Sequence, residues 1–450
     1  MGRLFGTDGA RGVANTELTC DLAMQIGRAA AAVLTKHLTH VPKLLIGKDT
    51  RISCDMLECA IAAGICSVGA DAVNLGVIPT PAVAYLVKKY GADAGVMISA
   101  SHNPAEFNGI KLFSGEGYKL PDAIEEEIEA LILDTPEKIK LVTGDNIGRM
   151  LKYPSAVSDY IKHLSGAVSC DLSGLRVAID CANGSASVTA KKLFEGLGAK
   201  CYMLNCTPDG TNINLHCGST HMDELIDFVK ARSCDVGLAF DGDADRCLAV
   251  DETGAVVDGD QLIAILSLDL KGRKLLKEDT AVVTVMSNLG FFKFAQQAGV
   301  NTYKTKVGDR YVLEEMLKSG YNLGGEQSGH IILLDHATTG DGQLSGGMLL
   351  SVMQRTGKPL SVLAGQMKRY PQVMVNVTAG DAAKAALPGD ETVKACIAGY
   401  EKQLGEEGRI LVRASGTEPL IRVMIEGKDE AIIMRMAKDI ARTIEERLCK

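Results

Sequence analysis

Along the first 150 residues, apolar positions recur either at a spacing of three to four or in short unbroken runs. The first pattern predicts helices over 18–37, 54–68 and 82–89, and the second predicts strands over 43–47, 72–76 and 94–98. Helix alternating with strand implies a parallel or mixed sheet layered with helices. An acidic helix over 124–133 and a polar stretch over 134–148 mark the exit from this unit. The rhythm restarts near Pro154, with strands over 176–180, 200–205, 235–240 and 247–251 and helices over 188–197 and 222–231. A third passage, 254–366, gives helices over 260–268 and 291–298 and a strand over 281–286. After Pro371 the pattern changes to strands over 373–377, 409–412 and 420–426 and a long helix over 430–448. We therefore expect an α/β protein with three related mixed-sheet domains, 1–153, 154–253 and 254–368, and a C-terminal α+β domain, 369–450.

Composition narrows the function. A chain of 450 residues exceeds the roughly 250–300 residues at which a single core stops growing, which agrees with several domains. A net charge of −8 argues against nucleic acid or an anionic membrane as partner, while leaving room for a small anion held by a few local cations. No run approaches the ~20 apolar residues of a membrane span, and the N-terminus MGRLFG lacks a signal-peptide layout. Thirteen scattered cysteines, never spaced C-x-x-C, fit a reducing cytoplasm. The histidines form no metal-binding cluster, which argues against zinc.

Five segments carry candidate chemistry. In MISASHNP (97–104) a strand runs into a small-residue loop that presents the Ser101 hydroxyl, with Pro104 ending the ladder; a Ser-rich loop closing in an X-Pro turn is the plain alternative. A Ser–His hydrolase fits poorly, because there is no G-x-S-x-G elbow and neighbours on a strand end point to opposite sides. In DGDADR (241–246), between apolar strands, Asp241, Asp243 and Asp245 can converge as an all-oxygen site for a hard cation such as magnesium. Without a cation, three such carboxylates repel and shift their pKa values upward. An EF-hand would need Gly where Arg246 stands, and a haloacid-dehalogenase phosphatase would need Thr at Asp245; a solvated acidic loop is the plain alternative. GGEQSGH (324–330) sets Glu326 and Ser328 on a glycine-rich turn whose side chains could meet sugar hydroxyls, with a plain tight turn as the default reading of the fragment by itself. RASGTEP (413–419), with Arg422 beyond it, offers Arg413, Ser415, Gly416, Thr417 and Arg422 as a phosphate cradle, or else an ordinary turn with surface arginines. Finally, FGTDGARG (5–12) reads by itself as a turn, with Arg11 able to face an anion.

In this order, and joined by GKDTRIS (47–53), NGIK (108–111) and TKVGDRYV (305–312), the segments resemble the α-D-phosphohexomutase superfamily over nearly the whole chain. The Glu-Gln-Ser-Gly-His form of the sugar loop and the FGTDG-x-RG start resemble its bacterial glucosamine-phosphate branch. The resemblance implies four domains around one deep cleft, and interconversion of glucosamine 6-phosphate and glucosamine 1-phosphate through glucosamine 1,6-bisphosphate, an intermediate that also acts as activator. It implies that Ser101 is phosphorylated and that Asp241, Asp243 and Asp245, with an oxygen of that phosphate, hold one magnesium ion. Arg11, His102 and Lys111 would line the phosphoserine, with Lys111 moving protons. Arg246, Glu326 and Ser328 would bind substrate, and Arg413, Ser415, Gly416, Thr417 and Arg422 the non-reacting phosphate. A homodimer follows by analogy, closure of the fourth domain over substrate is expected because that domain brings the cradle on a separate unit, and either a kinase or an autocatalytic route would first load Ser101. Phe107 departs from the polar residue usual before Asn-Gly-Ile-Lys. Rival readings are a glucose- or mannose-phosphate mutase, a metal-dependent sugar phosphatase and a non-enzymatic sugar-phosphate binder.

Overall fold

The computed structural model describes residues 3–6, 8–415 and 418–449; Thr7, Gly416 and Thr417 therefore lie outside the described residues. The chain divides into two compact units, Met1–Met286 with Gly299–Gln366, and Ser287–Ala298 with Met367–Lys450. Helix Leu289–Ala298, which the sequence pattern set within 254–368, packs in the second unit.

Three sheets make up the first unit. Strands β1 (Phe5–Gly6), β2 (Gly9–Val13), β3 (Lys43–Lys48), β4 (Asp71–Val77), β5 (Ala94–Ile98), β6 (Phe107–Ser114) and β7 (Met150–Lys152) lie in the order β1-β2-β6-β5-β3-β4-β7. The second sheet holds β8 (Arg176–Asp180), β9 (Lys200–Leu204), β10 (Val236–Phe240), β11 (Cys247–Asp251) and β12 (Val256–Val257), ordered β12-β11-β10-β8-β9. The third holds β13 (Thr280–Thr284), β14 (Asn301–Thr305), β15 (Leu323–Gly325) and β16 (Ile331–Leu333), ordered β14-β13-β15-β16.

One pairing plan recurs in all three. A first strand (β3, β8, β13) pairs in parallel with the second (β4, β9, β14) and with the third (β5, β10, β15). The third then turns back into an antiparallel fourth (β6, β11, β16). The third strands are buried throughout, as parallel strands covered on both faces must be.

Side-chain alternation sets the layers of the first sheet. Leu44, Ile46, Val96 and Ile98 share a core with helices Cys20–Leu34 and Ser53–Ser67. Gly47 and Gly95 face the other way, toward Val83 and Val87 of helix Thr80–Tyr90. That helix opens with Pro81 in its first turn and ends at Gly91 with φ 59°, two signals written in the sequence.

The second unit is an antiparallel sheet, β17 (Gln372–Thr378), β18 (Gly408–Ala414) and β19 (Leu420–Gly427), ordered β17-β19-β18. Its core is completed by helix Glu430–Leu448, through Ile433, Met436, Ala437, Ile440 and Ile444.

The local pattern left several elements unseen. FGTDGARG is not a simple turn: β1 and β2 flank its centre and β2 pairs with β6, so the segment extends the first sheet. The expected helix 188–197 is a short 3-10 turn, Ser185–Val188, followed by Ala190–Gly196. Helices Ala156–Val168, Asp309–Ser319, Gly342–Thr356 and Glu391–Leu404 were not anticipated. Among the described residues, no helix is long and apolar enough to cross a membrane.

Candidate active site

The repeated plan decides where chemistry can gather. In each of the three sheets, the loop after the third strand is the hairpin that reverses the chain, at a carboxyl edge. Those loops carry Ser101, the Asp241–Asp245 triplet and Glu326, and all three belong to the first unit.

Ser101 is fully buried and has φ 53°, a left-handed conformation costing a non-glycine residue roughly 1–2 kcal/mol. Its Oγ donates to Asp241 Oδ2 at 2.7 Å. The strand ends at Ile98, and the left-handed turn brings the neighbouring side chain to the same side. Thus His102 Nδ1 lies 3.4 Å from Ser101 Oγ, contrary to the expectation that the two residues diverge. Burial, Arg246 and Arg11 push the His102 imidazole down to about 4, so it is neutral near pH 7.

The aspartate loop packs against this serine through glycine. A β-carbon on Gly242 would collide with the Ser101 carbonyl oxygen and crowd Ile213 and Asn214. Ligand oxygens of Asp241, Asp243 and Asp245 lie within 4.8 Å of one another. Asp241 has both oxygens bonded, Oδ2 by Ser101 and Oδ1 by Arg246 N at 3.2 Å, while Asp243 and Asp245 each have one anchored oxygen. Asp243 Oδ2 accepts from Lys111 at 2.8 Å and Thr80 at 2.6 Å, while Asp245 Oδ2 lies 3.6 Å from both Lys111 and His330. Asp243 Oδ1 and Asp245 Oδ1 are buried and accept no hydrogen bond from any described residue. Two orphaned carboxylate oxygens beside a third acid are costly unless something coordinates them. An all-oxygen divalent cation such as magnesium fits this donor set.

The triplet does not shift upward as a group. Burial, Asp245 and Asp243 raise Asp241 well above the usual carboxylate range. Burial also opposes ionisation of Asp245, yet Lys111, His330 and Arg246 overcome it and hold that carboxyl low. The difference lies in which acid faces the cations, a matter the loop sequence does not contain.

Four cations and two further acids surround the triplet. Lys111, on β6 opposite Met97, also lies 3.1 Å from Asp8. Burial works against its charge, but Asp243, Asp8 and Asp245 raise its pKa, so it is an ammonium. Lys119 bridges Asp8 at 2.7 Å and Asp309 at 2.5 Å, and His330 Nε2 is 3.3 Å from Asp309. Arg11 pairs with Asp8, and its Nε is buried without a hydrogen-bond partner. Arg246 contacts His102 at 3.4 Å, and its Nε makes no hydrogen bond but lies 3.9 Å from Asp245 Oδ1. Two guanidiniums that each keep a buried Nε out of hydrogen bonding suit an anion. Glu326 is half-buried and accepts from Gly308 N at 3.0 Å, while Ser328 is exposed.

Sequence reasoning missed Asp8, Thr80, Lys119, Asp309 and His330 as members of this site. Asp8, Asp309 and His330 sit inside quoted strings, so a charge tally of those strings would have raised them; Thr80 and Lys119 carry no local signal. Phe107 acts here through its backbone, its carbonyl accepting from Arg51 at 3.0 Å.

In the second unit, Arg413 on β18 and Arg422 on β19 are directly paired across the strands. Burial and Arg422 together lower the Arg413 pKa, and like charges opposite one another destabilise a sheet unless an anion lies between them. Ser415 N donates to Leu420 O at 2.8 Å, closing the loop, and Arg422 pairs with Glu418. The remaining cradle candidates, Gly416 and Thr417, lie outside the described residues.

Known proteins match this chain along its whole length. Residues 2–138, 158–254 and 258–370 match the phosphoglucomutase/phosphomannomutase alpha/beta/alpha domains I, II and III, and 374–443 match the C-terminal domain of the same family. Proteins called phosphoglucosamine mutase from Acetivibrio thermocellus and Ruminiclostridium cellulolyticum are each 56% identical over 448 residues, covering 100% of both chains. A phosphoglucomutase/phosphomannomutase family protein from Burkholderia thailandensis superposes with a TM-score of 0.82 at 23% identity, over 99% of this chain and 98% of that one. The Aspergillus fumigatus N-acetylphosphoglucosamine mutase, solved with GlcNAc-6P and magnesium, gives 0.67 at 17% identity, over 99% and 96%. At these identities the solved structures bear on the fold alone.

Proposed function

The chain belongs to the phosphoglucomutase/phosphomannomutase family, among the phosphoglucosamine mutases, and we propose that it interconverts glucosamine 6-phosphate and glucosamine 1-phosphate through a phosphorylated Ser101. Within the molecule, the observation that carries this reading is the Ser101 Oγ 2.7 Å from Asp241, next to two carboxylates that each keep one buried oxygen out of hydrogen bonding.

Phosphoryl transfer is mostly positioning and charge stabilisation. Ser101 gives its phosphoryl group to the free hydroxyl of the sugar monophosphate: the Oγ–P bond breaks, the sugar O–P bond forms, and one proton passes from that hydroxyl to the serine oxygen. Neutral His102 can take the proton, and ammonium Lys111 can supply one. Asp241, Asp243 and Asp245, with a phosphate oxygen, would hold magnesium, which when bound neutralises charge on the transferring group. The resulting glucosamine 1,6-bisphosphate turns over and returns its other phosphate to Ser101. Arg11 and Arg246 hold the reacting phosphate, Glu326 and Ser328 orient sugar hydroxyls, and Arg413, Ser415, Gly416, Thr417 and Arg422 hold the non-reacting phosphate. We place the protein in the cytoplasm on the strength of its thirteen scattered cysteines.

Glucosamine 6-phosphate, glucose 6-phosphate and mannose 6-phosphate, each with Mg2+, followed by 31P NMR, test the reading. Glucosamine 1-phosphate should form fastest. Faster conversion of glucose or mannose phosphate would move the protein to another hexose specificity, and release of inorganic phosphate without isomerisation would make it a phosphatase. Ser101→Ala should abolish turnover and remove the covalent phosphate from the intact mass.

A further inference from the structure

Of the strings that mark the sequence, GKDTRIS (47–53) has no part in the chemistry above, yet it contains a buried charge with every donor in use. The Arg51 side chain is 0% exposed and pairs with an equally buried Asp49, Nε to Oδ2 at 2.9 Å. Its other four N–H groups all go to main-chain carbonyls of the loop that carries Ser101. Nη2 donates to the carbonyls of Ser101 at 3.0 Å and Asn103 at 2.8 Å, and Nη1 to those of Phe107 at 3.0 Å and Pro104. All five donors of the guanidinium are thus spent, four of them within seven residues of chain.

A second line reaches the same loop from the partner acid. Asp49 Oδ2 accepts from Ser99 Oγ at 2.6 Å, and Ser99 Oγ in turn accepts from Ser101 N at 2.9 Å. Asn214 Nδ2 adds bonds to the Ser101 and Asn103 carbonyls at 2.8 and 3.0 Å. The clamp is itself tied to the second sheet's loops, through Thr50 Oγ1 to Asn183 O at 2.6 Å and Ile52 N to Gly210 O at 2.8 Å.

We propose that Arg51 is the positioning residue of the phosphotransfer, fixing the left-handed Ser101 turn so that Oγ is aimed at the aspartate triplet. It touches neither sugar nor phosphate. A buried charge survives only when fully paired, and here the pairing is spent on holding one turn. A lysine cannot substitute, because three donors on a single atom do not span four carbonyls. The inference rests on the mutase reading for its kinetic consequence, but not for its structural one.

Arg51→Lys in the full-length chain, assayed with glucosamine 6-phosphate and Mg2+, tests it alongside the unmodified protein. A displacement on the order of 1 Å at the nucleophile predicts a kcat about 10²-fold lower, with KM unchanged because no sugar or phosphate contact is lost. Amide hydrogen exchange should quicken over residues 101–107, while the first sheet's core strands stay protected. A folded Arg51→Lys protein with unaltered kcat and unaltered exchange over 101–107 overturns the proposal. If that variant does not fold, Ser99→Ala decides: a lower kcat at constant KM supports the clamp, and unaltered kcat overturns it. If the unmodified protein interconverts no hexosamine phosphate, the mutase reading fails, and the clamp is judged on the exchange of 101–107 alone.

Discussion

Only one of the two Asp243 oxygens is hydrogen-bonded, and that division shows how a single residue is prepared for its role. Oδ2 is pinned by Thr80 and Lys111, leaving Oδ1 buried and unpartnered. A carboxylate oriented in this way has lost its rotational freedom before any cation arrives. Thr80→Val, which keeps the shape and deletes the hydroxyl, should weaken Mg2+ affinity by about 10- to 100-fold, as losses around a metal ligand typically do. Calorimetric titration with Mg2+ checks this, and an unchanged Kd would remove Thr80 from the site. The Asp243 oxygen that Thr80 holds is 163 positions away in sequence, so nothing near Thr80 announces it. Ser101 and the three aspartates, by contrast, are legible because their chemistry is concentrated in six or eight consecutive residues.

At the scale of elements, periodicity identified strands buried on both faces and helices with clear ends, and failed where packing overrode propensity. Helix Gly342–Thr356 carries Gly342, Gly346 and Gly347, poor helix formers that hide it from a propensity reading. The structure explains them by close approach: a β-carbon at Gly346 would press on Leu238, and one at Gly347 on Val168. The N-terminal segment was missed because its stability is borrowed. Glu129, on helix Asp122–Leu133, accepts from the backbone N–H groups of Arg3, Leu4 and Phe5 at 2.8, 2.7 and 2.7 Å. Burial opposes the charge, but these three amides and Arg3 pull the Glu129 pKa below its ordinary value. A lowered carboxyl stabilises the fold above the unfolded-state value and loses that contribution as pH falls through the folded one. Glu129→Gln should therefore cost about 1–3 kcal/mol near neutral pH. The gap to the unmodified protein should close as pH drops below about 4. Calorimetric melting of both proteins between pH 7 and pH 3.5 measures it, and a gap constant with pH would refute the assignment.

For the molecule as a whole, the repeat of one pairing plan in three sheets places three reactive loops at equivalent carboxyl edges. Gly242 is where two of them meet. Gly242→Ala should lower kcat by about 10²-fold by pushing the Ser101 carbonyl away; steady-state turnover reads this, and an unaffected kcat would show that the loops tolerate separation. In the second unit Arg413 and Arg422 stand opposite one another on β18 and β19. If they hold the non-reacting phosphate, Arg422→Ala should raise KM and release the bisphosphate into solution, detectable by 31P NMR. An unchanged KM without released bisphosphate would end the cradle assignment.

The sequence alone determined the fold class and, through the order of its strings, the family, while Ser101 and the acid triplet stood out as candidates because each needs only a few adjacent side chains of fixed type. Tertiary structure alone decided which acid faces a cation, which oxygens of Asp243 and Asp245 stay out of hydrogen bonding, and how Ser101 is held. Those depend on Arg51, Thr80, Lys111, Lys119 and His330 arriving from separate strands, loops and a helix start. Field and hydrogen-bond geometry fall off within a few ångströms in space, and separation along the chain does not record distance in the fold.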